Sequence, residues 1–140
     1  MNPILIKKLQ DFFQENPITV GEPSTADELL FVEQTMQLKL DETHRYLLLH
    51  YGGVVIGDIR IYGLKNAELV GDETFVELTN DLKEQISIEA QQYVISVDDM
   101  GNPILVDTTT HEVILYNHDI GAYEKLFDSL EDLILSKLSK

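Results

Sequence analysis

Between Pro3 and Tyr51 the apolar residues return every three or four positions, and after Gly52-Gly53 they begin to alternate. This change of period, from about 3.6 residues to about 2, constrains the chain more than any other feature, because residues that share one face of a helix fall on opposite faces of a strand. Helices come first and strands follow. The expected class is α+β, with N-terminal helices packed on a mostly antiparallel β-sheet and a C-terminal helix closing it.

Local signals place the elements. Asn2 can cap a first helix, Pro3 suits its first position, and Leu5, Leu9, Phe12 and Phe13 share a face until Asn16-Pro17 ends it near Gln14. Thr25 with Glu28 three residues on reads as a capping box for a helix over 26–37, whose stripe is Leu29, Val32 and Met36. Asp41 can cap a third, in which His44, Leu47, Leu48 and Tyr51 share a face, with Gly52-Gly53 as the left-handed stop. Val55, Ile59 and Ile61 predict one strand entered through a bulge or tight turn at Gly57-Asp58. Residues 66–88 suit two readings, but Phe75, Leu78, Leu82 and Ile86 favour a helix over extended structure. Strands over 93–97, 103–106 and 113–116, joined by Asp99-Met100-Gly101-Asn102 and by residues 108–112, form an antiparallel meander. Asp128 with Glu131 is the expected cap of a last helix that buries Leu130, Leu133, Ile134 and Leu138. No repeat or linker interrupts the chain, and 140 residues with 44% hydrophobic content suffice for one core. Residues 1–140 are therefore expected to be a single domain.

Ten Lys and Arg against twenty-five Asp and Glu leave a net charge of −15. The excess is uneven: Glu68 to Asp132 hold sixteen acids and two bases, Lys83 and Lys125, whereas the residues before them hold nine acids and six bases. Such a surface repels phosphate and anionic lipid, so neither nucleic acid nor membrane is an expected partner, while a basic protein is attracted. Acidity also serves plain solubility. The absence of cysteine excludes disulfides and thiolate sites, and a reducing compartment fits. The N-terminus places apolar residues before Lys7 and Lys8, unlike a signal peptide, and no apolar run nears the ~20 residues of a membrane span. The expected location is the cytoplasm.

Chemistry is hard to find. Gly52-Gly53 follows a helix and precedes a strand, the reverse of a phosphate loop. His44 and His50 lie six apart, roughly 240° around a helix, and cannot share a face. His118-Asp119 are neighbours at a strand end, pointing apart, so no histidine metal site is expected. Asp98-Asp99 with Gly101-Asn102 lack calcium-loop spacing and read as a hairpin turn. No nucleophile elbow occurs and nothing singles out a carboxylate pair, so the chain is expected to bind and not to catalyse, without metal or cofactor.

One ordered series stands out: Glu33, then Leu38-Lys39-Leu40, then Leu48-Leu49-His50-Tyr51-Gly52-Gly53, then Ile61-Tyr62-Gly63-Leu64. Gly101-Asn102-Pro103, Ile104-Leu105-Val106-Asp107, Val113 to Asp119 with its Tyr116-Asn117-His118-Asp119 end, and Asp128-Ser129-Leu130 follow in turn. The series resembles the SUKH superfamily in its Smi/Knr-like branch, from about Thr25 to Leu138, with Asp41 where that branch usually has proline and Leu130 where it has phenylalanine. The resemblance implies an immunity protein that binds a cognate toxin, often a nuclease or deaminase, and keeps it inactive in the producing cell. It also implies an alternative, a regulatory or scaffold domain for cell-wall or signalling proteins. An acidic inhibitor can occupy a nuclease's basic groove as a phosphate mimic. The candidate contacts for such a partner are Asp72, Glu73, Asp98, Asp99 and Asp119, although the last two helices or the sheet face would serve equally. His118 and Asp119 also fit a purely structural role, with Asp119 capping local amides. Gly52, Gly53, Gly63, Gly101 and Pro103 are assigned to folding.

Overall fold

In the computed structural model, which describes residues 1–139, every early helix begins on a side-chain cap. Asn2 accepts the Ile4 amide at 2.8 Å and starts α1 (Pro3–Glu15), which buries Leu5, Leu9 and Phe13. A short 3-10 turn, Pro17–Thr19, follows. Thr25 and Glu28 form the reciprocal capping box of α2 (Ala26–Met36), and Gln37 ends it in the left-handed region. The Asp41 carboxylate accepts the Thr43 and His44 amides at 3.0 and 3.2 Å and starts α3 (Glu42–His50). Caps of this kind stabilise a helix by about 1 kcal/mol each. At the other end of α3 the amides of Tyr51 and Gly52 both donate to Leu47, and Gly52 adopts φ +76°. A Cβ there would lie 2.3 Å from the Glu22 carbonyl oxygen, so glycine is required both for its backbone and for its size.

The one strand expected around Gly57-Asp58 is two. Strands β1 (Val54–Ile56) and β2 (Ile59–Ile61) pair antiparallel across a two-residue loop, with Gly57 at φ +61°, as a tight hairpin needs. Residues 66–88 do contain a helix, α4 (Phe75–Gln85), started by a second reciprocal box between Thr74 and Glu77; Ile86 stands outside it as an extended C-cap. The meander is present as β3 (Gln92–Val97), β4 (Pro103–Asp107) and β5 (Val113–Asn117), extended by an unexpected fourth strand, β6 (Ala122–Phe127). Ala122 to Lys125 are exposed throughout, so β6 has no apolar alternation to betray it. The last helix, α5 (Leu130–Leu138), is capped by Ser129, whose hydroxyl accepts the Asp132 amide at 3.2 Å. Asp128, the expected cap, instead pairs with Lys125.

The four-stranded sheet uses both faces. Tyr93, Ile95, Ile104, Val106 and Val113 join the main core, with apolar residues of α1, α2, α3, α5 and the hairpin. Val94 and Leu105 on the other face pack under Leu82, with Leu78 and Ile86 alongside, which seats α4. Thr79 locks that seat: its buried hydroxyl accepts the Val94 amide at 3.0 Å and donates to the Phe75 carbonyl at 2.7 Å. A bulge in β3 shifts the pairing between Val94↔Leu105 and Ser96↔Ile104. Ile95 and Ser96 both serve the core side in consequence, the Ser96 hydroxyl donating to the Arg60 carbonyl of β2.

Candidate functional site

Because α4 covers only part of the outer sheet face, a cleft of about 770 Å³ remains between α4, the β3–β4 turn and β5. Leu78, Val97, Pro103 and Tyr116, all half-buried, give it an apolar floor. Glu73 and Asp81 stand on the α4 side, and Asp98 and Asp99 on the turn. Arg60 is the only lysine or arginine lining it among the described residues, and its Nη2 donates to the Val97 carbonyl at 3.5 Å. Met100 projects from the turn, 72% exposed. Beyond Tyr116 the aromatic surface continues to Tyr123 on β6, the ring centres 5.1 Å apart.

Topology explains the gathering. In an antiparallel meander the β3–β4 and β5–β6 turns emerge at the same end, which brings Asp98 and Asp99 beside His118 and Asp119. Asn102 ties the two turns, its Oδ1 accepting the His118 amide at 3.1 Å. Glu73 arrives by a different route. Asn66 accepts the Gly63 amide at 2.7 Å and donates to the carbonyls of Gly71 and Glu73 at 3.0 and 2.6 Å, so one side chain folds the loop before α4. A lone Asn in a loop, such as Asn66, has no signature in the sequence.

The five sequence candidates separate. Glu73, Asp98 and Asp99 line the cleft; Asp72 is exposed and precedes Glu73 in the chain without lining it. Asp98 also has a structural task. Its carboxylate accepts the Met100 and Asn102 amides at 2.9 and 2.8 Å and the Asn102 side-chain amide at 3.2 Å, which builds the turn. Asp119 caps no amide of its own loop; Asn117 does that, accepting the Asp119 amide at 3.0 Å, while Asp119 lies 3.4 Å from Nε2 of His118. Asp81, one turn along α4 from Glu77, was missed because nothing in the local sequence aims it at the cleft.

Arg60 apart, several cations are paired away from the cleft. Arg45 pairs with Glu33, Lys65 with Glu28, Lys137 with Asp58, and Lys125 with Glu112 and Asp128, which raises the Lys125 pKa chiefly through its hydrogen bonds to those two acids. Glu73, Asp81 and Asp99 have no such partner among the described residues. An apolar floor under unneutralised carboxylates can hold a positively charged, partly apolar group and repels phosphate. No group of three or more His, Asp or Glu among the described residues is placed to hold a metal ion. No helix among them is long and apolar enough to cross a membrane.

Helices on one face of an antiparallel meander, a lone helix on the other and a glycine-stopped α3 before a hairpin define an α+β domain. The model of the SUKH_5 family, described as SMI1-KNR4 cell-wall, matches residues 3–139, and the chain belongs to that family. No curated protein matches it.

Proposed function

We propose that this protein is an immunity protein: it binds a cognate toxin in the cytoplasm of the bacterium that makes it and holds the toxin inactive by contact alone, without catalysis. The observation that carries this reading is the set of unpaired carboxylates, Glu73, Asp81 and Asp99, around an apolar-floored cleft. Membership of the SUKH_5 family is consistent with it. A nuclease must present a basic groove to its substrate, and a protein with a net charge of −15 is attracted to such a groove over a screening length of about 8 Å at physiological salt. Association is then fast at low salt and slows as salt rises.

Co-expression with the polymorphic toxin encoded beside this gene tests the reading. Restored growth and a stable complex on gel filtration are expected; continued cell death with no complex would overturn it. The cell-wall wording of the family description favours a second reading, a regulatory or scaffold domain for cell-wall proteins. A gene standing among cell-wall functions, with no toxin gene adjacent, would decide for that alternative.

A further inference from the structure

We infer that the cleft is a docking groove for one cationic, amphipathic segment of the partner, whose lysines or arginines meet Glu73, Asp81 and Asp99 while an apolar side chain lies on the floor. The inference rests on the protein-binding reading above and narrows it to a place and a chemistry.

Three features select this occupant. The floor is apolar and half-buried at Leu78, Val97, Pro103 and Tyr116, so water there is readily displaced by an apolar group. The rim is anionic on two opposed sides: Glu73 and Asp81 come with α4, and Asp99 with the β3–β4 turn, so a segment lying between them is flanked by negative charge. Met100, at the lip of the cleft, carries a flexible and polarizable side chain of the kind that adapts to different apolar partners. The same rim disfavours a nucleic acid or an anionic lipid, and a partner without apolar residues would leave the floor uncovered.

The test uses the full chain and three synthetic peptides as probes: lysine alternating with leucine, lysine alternating with serine, and glutamate alternating with leucine. The lysine–leucine peptide is expected to bind and to shift the amide resonances of α4 and the β3–β4 turn, the lysine–serine peptide to bind at least about tenfold more weakly, and the glutamate–leucine peptide not to bind. The double variant Glu73→Lys, Asp81→Lys should weaken the lysine–leucine peptide by about tenfold or more, whereas Glu84→Lys with Asp132→Lys, the same charge change away from the cleft, should weaken it much less. All four positions are exposed or partly so, and none is part of the core. Equal weakening by both pairs, equal binding of the lysine–serine peptide, or shifts confined to another face would each overturn the inference. The two proposals fail separately: a cleft variant that still protects against the toxin removes this one and leaves immunity standing, while peptide binding without protection removes immunity and leaves the groove.

Discussion

Nδ1 of His44 lies 2.8 Å from the hydroxyl of Tyr93, and neither residue is exposed to solvent. The other ring nitrogen, Nε2, is 2.9 Å from the Tyr62 carbonyl, which can only accept, so Nε2 carries the proton and Nδ1 receives that of Tyr93. The Tyr93 oxygen in turn accepts the Asp41 amide at 3.1 Å. Helix α3, strand β3 and the end of β2 are thus joined by one closed chain of donors and acceptors inside the core.

Tyr93→Phe keeps the ring and removes the hydroxyl. The Asp41 amide and Nδ1 of His44 both lose their partner, and the variant should be about 1–3 kcal/mol less stable in urea denaturation. A loss within a few tenths of a kcal/mol would mean that water replaces the hydroxyl.

Burial lowers the His44 pKa from 6.5 to about 4, opposed by its hydrogen bond to the Tyr62 carbonyl. Below the unfolded value the unfolded chain takes up a proton that the folded chain refuses, so stability should fall as pH drops from 6.5 towards 4, by at most about 3 kcal/mol. Asp41 acts in the opposite sense. Desolvation raises its pKa, against the hydrogen bonds from the His44 and Thr43 amides, so protonating it on acidification relieves the folded state and offsets part of the loss. Denaturation midpoints measured across this range should show the fall in the native protein and a flatter profile in His44→Gln.

Asp98 and Asp99 should part company. Asp98→Ala leaves the Met100 and Asn102 amides unserved and should cost about 1–3 kcal/mol. Asp99→Ala, at an exposed position, should change stability by less than about 0.5 kcal/mol. Thermal melts of the two variants side by side check this, and a costly Asp99→Ala would show that the rim acid has a structural task.

Ser129→Ala should destabilise by about 1 kcal/mol, since its hydroxyl serves the first turn of α5. Asp128→Ala removes only an exposed ion pair with Lys125 and should cost well under 1 kcal/mol. The reverse order in chemical denaturation would restore Asp128 as the cap.

What could be read in advance was what is encoded within a few residues. Asn2, Thr25 and Asp41 announce their helices because a cap is a local bargain between one side chain and the next turn. Thr74 and Glu77 offered the same signal for α4, a firmer one than the spacing that extended the reading to Ile86. Strand β6 was illegible because Ala122 to Lys125 bury neither face, and an edge strand of that kind owes its conformation to its pairing with β5. In the candidate site, Asp98 and Asp99 look alike as letters; only the direction of the Met100 and Asn102 amides tells them apart. That Glu73 faces the turn depends on Asn66, seven residues earlier, and on α4 finding its seat through Thr79, neither of which leaves a periodic trace.

The bulge in β3 determines what the cleft is made of. If the strand ran straight from Val94, strict alternation would turn Ser96 outward and Val97 inward, and the floor would exchange an isopropyl group for a hydroxyl. The Arg60 carbonyl would lose the hydroxyl that now fastens the hairpin to the sheet. The selectivity proposed for this protein is therefore set partly by counting: with the same residues in a strand that lacked the bulge, a greasy groove would become a wet one while Glu73 and Asp81 stayed in place.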